Sequence, residues 1–234
     1  MEEHSLSRME LLVGEDSIEK LRKATVIILG VGGVGGFVTE AIARSGVGRI
    51  ILVDKDEVSI SNLNRQIIAT HNTIGKPKVE VMKERILSIN PNCDVVINQC
   101  FISSENIEEL IGKDVTYVVD AIDTVTSKIQ VIEYCYKNNI PIISSMGTGN
   151  KMDPTQFKIT TLNKTKVCPL AKVMRTELRK KGIEKIKVLY SEELPIKLNM
   201  RTPGSMPFVP PVAGMIIGGE VIKDILFDRI KSKS

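Results

Sequence analysis

The chain contains no tryptophan, and it has only five phenylalanines and four tyrosines among its 234 residues. We expect the core to need most of these rings, which leaves no run of exposed aromatics for stacking nucleic-acid bases. No apolar run approaches the ~20 residues that span a bilayer, and the N-terminus MEEHSLSRME lacks the apolar centre of a signal peptide. The sequence therefore predicts a cytoplasmic protein without membrane association.

Signals for zinc and for disulfides are also missing. No two cysteines have the CxxC spacing of a paired-cysteine zinc site. The four cysteines are Cys93, Cys100, Cys135 and Cys168. The pattern predicts reduced thiols and no zinc.

What the chain does have is the composition of an ordinary globular protein, with 42% hydrophobic and 26% charged residues. Its net charge of +4 is too mild to identify a partner. Apolar β-rich runs alternate with helical patterns, which predicts a Rossmann-like, doubly wound α/β fold with a mostly parallel sheet and helices on both faces. The predicted strands lie near 25–30, 49–53, 94–98, 116–120 and 140–144, and the predicted helices near 34–45, 75–89 and 125–139.

The C-terminal half follows a different pattern. Two further strands, Phe157–Leu162 and Ile186–Tyr190, flank a predicted helix near 169–181, and we expect them to extend the sheet with antiparallel pairing. The proline-rich segment 191–211 predicts an irregular crossing loop before a final helix from about 213 to 230. We expect one domain over 1–234, with a helical segment 1–23, a core 24–150 and an extension 151–234 that contains the crossing loop.

A glycine-rich turn follows the first predicted strand in the sequence VIILGVGGVGG. Gly30, Gly32 and Gly35 have the spacing of a dinucleotide-binding fingerprint, and Gly33 lies within the same turn. Such a turn allows a close approach of backbone to phosphate, and the next helix points its N-terminus at the anion. Asp54 ends the second strand ~20 residues on, where a carboxylate can bind a ribose. A tight turn without a ligand is the alternative, and the polar residues that follow argue against it.

The polar residues after Asp54 favour a nucleoside triphosphate over a nicotinamide dinucleotide. Asp56, Asn62, Asn64, Arg65 and Gln66 follow closely, and Lys76 and Lys78 come after a loop. Two cations, Arg65 and Lys78, can neutralise a triphosphate and a leaving pyrophosphate. An ion pair between Arg65 and Asp56 before ATP binds is an alternative, and Lys76 is interpreted as a solvated neighbour of Lys78.

A carboxylate for Mg²⁺ is expected after the strand that contains Tyr117–Val119. This strand runs into the sequence DAID, at the edge of the sheet where α/β folds bind ligands. Spacing alone leaves open whether Asp120 or Asp123 meets the metal.

Four motifs in this order, GVGGVGG, DKDEVSISNLNRQ, GKPK and DAIDT, resemble the adenylating enzymes of the ThiF/MoeB/HesA superfamily. The resemblance implies that ATP converts a carboxylate into an acyl-adenylate and releases pyrophosphate. It implies that Asp54 binds the ribose and that Asp123 binds Mg²⁺. It further implies phosphate-binding roles for Asn62, Arg65, Gln66 and Lys78.

The segment Ser7–Gly14 resembles the opening motif of this superfamily, whose arginine reaches into the site of the partner subunit. Arg8 is therefore expected to act in trans in a homodimer. The alternative is that Arg8 lies on the surface of an N-terminal helix without a catalytic role.

The C-terminal half resembles the branch of tRNA threonylcarbamoyladenosine dehydratases, through Asp153–Gln156, Pro169–Ala171 and the stretch 208–214. This implies that the threonyl carboxylate of the modified adenosine is adenylated and that ring closure then expels AMP. The runner-up is activation of the Gly-Gly end of a ubiquitin-like sulfur-carrier protein. A carrier or cysteine desulfurase partner and a structural monovalent cation remain open.

Charge gives the tRNA reading partial support. A helix and its exit hold a cluster of cations that could bind phosphates, or could simply keep the surface soluble. The cluster comprises Lys172, Arg175, Arg179, Lys180, Lys181, Lys185 and Lys187.

Two loop features complete the predicted site. The segment 146–150 is expected to line its mouth. Cys168, before Pro169, is expected in an accessible crossover, where relatives form thioesters or persulfides. We favour an incidental cysteine, because an adenylate needs no thiol.

Overall fold

The computed structural model describes residues 3–200 and 202–227. Seven strands form one sheet in the order β3-β2-β1-β4-β5-β7-β6. The strands are β1 Thr25–Leu29, β2 Arg49–Val53, β3 Asp94–Asn98, β4 Tyr117–Asp120, β5 Ile142–Ser145, β6 Phe157–Thr161 and β7 Lys187–Ser191. All neighbours pair in parallel except β6 and β7, which are antiparallel.

Helices cover both faces of this sheet. They are α1 Ser7–Val13, α2 Glu15–Lys23, α3 Gly35–Arg44, α4 Lys78–Ile89, α5 Ile107–Ile111, α6 Val125–Lys137, α7 Pro169–Arg179 and α8 Val209–Leu226. Within the described ranges, none of them is long and apolar enough to cross a membrane.

The central strand β1 shows why the inner strands of a doubly wound sheet are apolar at every position. Val26 and Ile28 face one core cluster, and Ile27 and Leu29 face the other; all four are fully buried. Successive side chains of a strand point to opposite faces, so both faces need apolar residues when helices cover both.

Helices α3 and α8 cross at very close range. A Cβ added at Gly214 would lie 2.4 Å from the carbonyl oxygen of Val34, and one added at Gly218 would lie 2.6 Å from the Cβ of Ala41. Any larger residue at these positions would push α8 away from the glycine-rich turn that precedes α3.

The predicted parallel core and the antiparallel pairing of the added C-terminal strands are confirmed, with one correction at the final helix. Of the two added strands, β7 joins the sheet parallel to β5, and β6 pairs antiparallel with β7. The final helix begins at Val209 instead of about 213, because Pro210 and Pro211 occupy its first turn, where a missing N–H costs no helical hydrogen bond. Positions 228–230 of the predicted helix lie outside the described residues.

The strand order places a crevice beside β1. The chain moves outward through β2 and β3 on one side and through β4 and β5 on the other, so the direction of winding reverses between β1 and β4. Open α/β sheets bind ligands at the carboxyl ends of the strands at such a reversal.

Candidate active site

A cavity of about 360 Å³ opens at this crevice. That volume falls within the range of ligand sites, which is roughly 300–1,000 Å³. Nine of the sequence-predicted site residues line it: Gly30, Gly32, Gly33, Asp54, Asp56, Arg65, Gln66, Lys78 and Asp123. Three do not line it: Arg8, Gly35 and Asn62.

The glycine turn is shaped by close backbone contacts. Gly30 has φ +91°, and a Cβ there would lie 2.7 Å from the carbonyl oxygen of Ala121. A Cβ at Gly35 would lie 1.8 Å from the carbonyl oxygen of Gly30, so Gly35 packs α3 onto the end of β1. Helix α3 has no side-chain cap at its N-terminus, which leaves backbone N–H groups able to bind an anion.

Asp54 connects the turn to β2. Its Oδ2 accepts a 2.6 Å hydrogen bond from the backbone N–H of Val31, and its Oδ1 accepts one of 2.9 Å from that of Asp56. A carboxylate offers about four lone-pair positions, so it retains acceptor capacity for the hydroxyls of a sugar.

Lys78 begins α4 and is largely buried, and its Nζ lies 2.9 Å from Oδ2 of Asp56. Residues 56–58 pair with 75–78 through the backbone, which brings the lysine to the cavity. The alternative in which Arg65 pairs with Asp56 is wrong, because Arg65 donates instead to the carbonyl oxygen of Ser61 and to Oδ1 of Asn64.

Gln66, which lines the cavity, has a side chain that ends in a buried amide. Its side chain is buried, and Oε1 has no hydrogen-bond partner among the residues that the structure describes. A buried acceptor left unpaired costs about 1–3 kcal/mol, so a donor from a bound ligand would remove that cost.

Asn62 supports the site from outside the cavity. Its Oδ1 accepts a 3.0 Å hydrogen bond from the backbone of Ser59, which closes a capping box around the short 3₁₀ turn Ile60–Asn62. Its carbonyl oxygen accepts from the backbone N–H groups of Arg65 and Gln66. The observed contacts therefore position the next two site residues.

The structure distinguishes the two aspartates of DAID. Asp120 is fully buried, with Lys128 Nζ 2.9 Å from its Oδ2 and Ser144 Oγ 2.6 Å from the same oxygen. Asp123 is exposed and lines the cavity. Asp123 is therefore the carboxylate placed to meet a ligand. No cluster of three or more His, Cys, Asp or Glu side chains suited to a metal occurs among the described residues.

Part of the cavity wall has no counterpart in the predicted site. Phe101 and Lys55 both line it, with the ammonium 5.3 Å from the ring centroid. Residues 203–205 of the crossing loop also line it. Phe101 follows the end of β3, and ligands of α/β sheets bind at the carboxyl ends of strands, so this position was predictable. No local sequence pattern predicts that residues 203–205 reach the cavity. Of the predicted mouth, Met146, Gly147, Thr148 and Gly149 do line the cavity.

The expectation of an accessible Cys168 is wrong. Cys168 is only 2% exposed and lies immediately before α7, at its N-cap position. Its Sγ lies 3.8 Å from the position that a Cβ of Gly147 would take, so the thiol packs behind the cavity wall.

The cations predicted on α7 are mostly engaged with other groups. Arg175 turns back and donates to the carbonyl oxygen of Thr165 at 2.9 Å. Three others pair with acids: Arg179 with Glu184, Lys180 with Glu177 and Lys181 with Glu133. The cations of these three pairs are exposed, and surface pairs contribute about 0–1 kcal/mol, so RNA phosphates could compete for the cations.

Arg8 is exposed on α1, away from the cavity of its own chain. Two apolar residues on the same helix, Leu11 and Leu12, are 75% and 86% exposed.

Comparison with known proteins gives long matches. A tRNA threonylcarbamoyladenosine dehydratase of Bacillus subtilis is 47% identical over 98% of this chain and 99% of the relative. The crystal structure of the E. coli tRNA N6-threonylcarbamoyladenosine dehydratase TcdA in complex with ATP matches with a TM-score of 0.91 and 33% identity, over 98% of this chain and 96% of that one. A molybdopterin-synthase adenylyltransferase of Salmonella typhimurium is 33% identical, over 64% of this chain and 59% of the relative.

The four ordered motifs of the superfamily resemblance all supply residues that line one cavity. Three of them are the glycine turn, the run from Asp54 to Gln66, and the DAID turn. The fourth, GKPK, supplies Lys78. Residues 5–232 match the ThiF family, and the chain belongs to that family.

Proposed function

We propose that the protein is an ATP-dependent tRNA threonylcarbamoyladenosine dehydratase. The observation that carries the proposal is the 47% identity with a dehydratase over essentially the full length of both chains. The match to the adenylyltransferase of molybdopterin synthase stops at 64% of this chain. A tRNA substrate also agrees with the expected cytoplasmic location.

ATP would bind with its ribose on Asp54 and its phosphates between the N-terminus of α3 and the cations. Lys78 and Arg65 come from different elements and both line the cavity, so they can contact a phosphate chain from two directions. In this structure the ammonium of Lys78 pairs with the carboxylate of Asp56, and in the complex with ATP a phosphate oxygen would replace Asp56 as its partner.

Asp123 would hold Mg²⁺ together with phosphate oxygens and water. A single carboxylate fits this metal, which commonly binds through one or two carboxylates plus substrate phosphates. When bound, the metal would neutralise charge on the phosphate chain. A monovalent cation remains a further proposal.

The reaction would proceed in two displacements at one site. An oxygen of the threonyl carboxylate attacks the α-phosphorus of ATP, and the bond to pyrophosphate breaks. A nitrogen of the same modified side chain then attacks the acyl carbon, loses its proton and closes the ring, while AMP leaves with the carboxylate oxygen. The net change is loss of water from the modified adenosine, coupled to cleavage of ATP. Lys78 and Arg65 would stabilise the charge that develops on pyrophosphate.

The substrate would approach along α7, where Lys172, Arg175, Arg179, Lys180 and Lys181 provide positive charge. Because the paired cations Arg179, Lys180 and Lys181 stay exposed to water, their ion pairs are weak, and the proposal predicts strongly salt-dependent binding of tRNA.

Arg8 would complete the site of a partner subunit in a homodimer, since it is exposed and lies away from its own cavity. Mixing Arg8→Ala and Lys78→Ala subunits tests this directly. Each mixed dimer would contain one site with both residues intact, so statistical mixing should restore about a quarter of the wild-type rate. Failure to restore activity, with mixed dimers shown to form, would mean that Arg8 does not act in trans.

The substrate is tested by pyrophosphate release from ATP, which accompanies adenylation of any acid, with two candidate acids and one control. These are tRNA carrying threonylcarbamoyladenosine, the same tRNA lacking that modification, and a sulfur-carrier protein ending in Gly-Gly. We expect turnover only with the modified tRNA, and cyclised nucleoside by mass spectrometry. Pyrophosphate release with the carrier protein alone would favour the runner-up.

A further inference from the structure

A lysine and an aspartate are completely buried behind the wall of the active-site cavity. Lys128 of α6 and Asp120 at the end of β4 are both 0% exposed, with 2.9 Å between Nζ and Oδ2. Ser144 of β5 donates a 2.6 Å hydrogen bond to the same oxygen. The proposed reaction uses none of these three side chains.

This pair holds the turn that presents Asp123 to the cavity. Oδ1 of Asp120 accepts a 3.1 Å hydrogen bond from the backbone N–H of Ile122. Lys128 Nζ donates one of 3.2 Å to the carbonyl oxygen of the same residue. Both polar backbone groups of the residue before Asp123 are therefore fixed by the two buried charges.

The other side of the turn is fixed by β1. The backbone N–H of Ala121 donates to the carbonyl oxygen of Leu29 at 2.8 Å, and the carbonyl oxygen of Ala121 lies against Gly30. Among the described residues, Asp123 makes only one side-chain contact, in which its Oδ1 accepts from the Thr124 hydroxyl at 3.3 Å. Its position is thus set by the backbone before it.

Stability gives little reason for a charged pair at this place. Taking two charges out of water costs more than their attraction returns in many proteins, and well-packed apolar residues often stabilise equally well. Paired charges do, however, fix the orientation of the groups that they contact. We propose that Lys128 is a positioning residue which, with Asp120, holds the turn 121–124 so that Asp123 faces the nucleotide phosphates. The inference rests on the proposed metal-binding role of Asp123.

The test compares affinities for a non-hydrolysable ATP analogue, AMPCPP, with and without Mg²⁺, measured by calorimetry on the full chain. Wild type should bind at least about tenfold more tightly with Mg²⁺, and Asp123→Asn should lose most of that gain. The double variant Asp120→Asn/Lys128→Met removes both charges, so neither is left buried without a partner. It should keep metal-free affinity within about threefold of wild type and gain less than about threefold from Mg²⁺.

A double-mutant cycle separates positioning from general loosening of the fold. In the Asp123→Asn background, removing the buried pair should cause less than about twofold further loss of Mg²⁺-dependent affinity, because the group it positions is already gone. Equal losses in both backgrounds would overturn the inference.

The remaining outcomes distinguish the two proposals. No gain from Mg²⁺ in wild type would overturn the role of Asp123, and this inference with it. A full gain in the double variant, with Asp123→Asn impaired, would overturn only this inference. Ser144→Ala gives a milder test, since it keeps both charges and removes one hydrogen bond from Asp120. It should lower the gain from Mg²⁺ about two- to fivefold, and an unchanged gain would count against the inference.

Discussion

The substitution Lys78→Met tests the phosphate-binding role most directly. Methionine keeps the apolar stem of the buried lysine and removes only its charge. Its partner Asp56 has a side chain that is 52% exposed, so the carboxylate left behind remains in contact with water. We therefore expect the free energy of unfolding to change by no more than about 1 kcal/mol.

The effect on catalysis should be much larger. Removing one fixed donor to a charge that develops in the transition state costs about 2.7–4 kcal/mol, or roughly 10²–10³-fold in kcat. Coulomb's law agrees, because unit charges 4 Å apart at an effective dielectric constant near 20 interact by about 4 kcal/mol. The Asp56 pair at 2.9 Å must be broken first, so we expect the lower end, a loss of about 100-fold.

The assay is AMP release from ATP with modified tRNA, combined with urea unfolding of the same preparations. Lys76→Met is the matched control, because Lys76 lies two positions away, is exposed and does not line the cavity. It removes the same charge and should stay within about twofold of wild type. A kcat for Lys78→Met within threefold of wild type, or equal losses in the two variants, would refute the phosphate assignment.

Three further predictions concern the surroundings of the site. Asn150 has φ +58°, and its side chain accepts a 2.6 Å hydrogen bond from the backbone N–H of Gly204 in the cavity wall. Asn150→Ala should cost about 1–2 kcal/mol of stability in urea unfolding and lower kcat/KM, while Asn150→Asp, which keeps an acceptor, should do less harm. Cys168→Ala should retain AMP release within about threefold, since the thiol is buried and the adenylate is already activated, and complete loss of turnover would show that the thiol takes part. Burial, with a smaller contribution from the charge of Asp94, raises the pKa of Cys93 to about 11 from 9.0. Because the pKa of this thiol is higher in the folded state than in the unfolded state, its protonated form does not lower the free energy of unfolding below about pH 9. As pH rises through about 11, the free energy of unfolding falls by up to about 2–3 kcal/mol. Thermal melts from pH 8 to 11 should show that loss in wild type and a smaller one in Cys93→Ala.

The parallel core was predictable because its signals are local. A strand covered on both faces must be apolar throughout, and glycines are required where two backbones lie so close that a Cβ atom would clash. These two constraints locate β1, the turn at Gly30 and the packing of α3 from the sequence alone. The start of α8 was misplaced because prolines suggested a loop, although a first helical turn tolerates them equally well.

The site was predictable only where one motif carries the residues. Asp54, Arg65, Gln66 and Lys78 stand in short motifs, and all four line the cavity. The segment 203–205 reaches the same cavity through distant contacts, such as that of Asn64 with the carbonyl oxygen of Ser205 across 141 positions. Loops placed by long-range contacts leave no periodic pattern in the sequence.

The DAID motif shows the limit most clearly. Its two aspartates have the same charge and stand three positions apart, so local chemistry cannot assign their roles. The assignment comes from Lys128 and Ser144, which lie on two other elements and turn Asp120 into a buried ion-pair partner. With Asp120 committed to holding the turn, Asp123 remains the exposed carboxylate at the cavity. A role that spacing left open is thus decided by which carboxylate the fold neutralises.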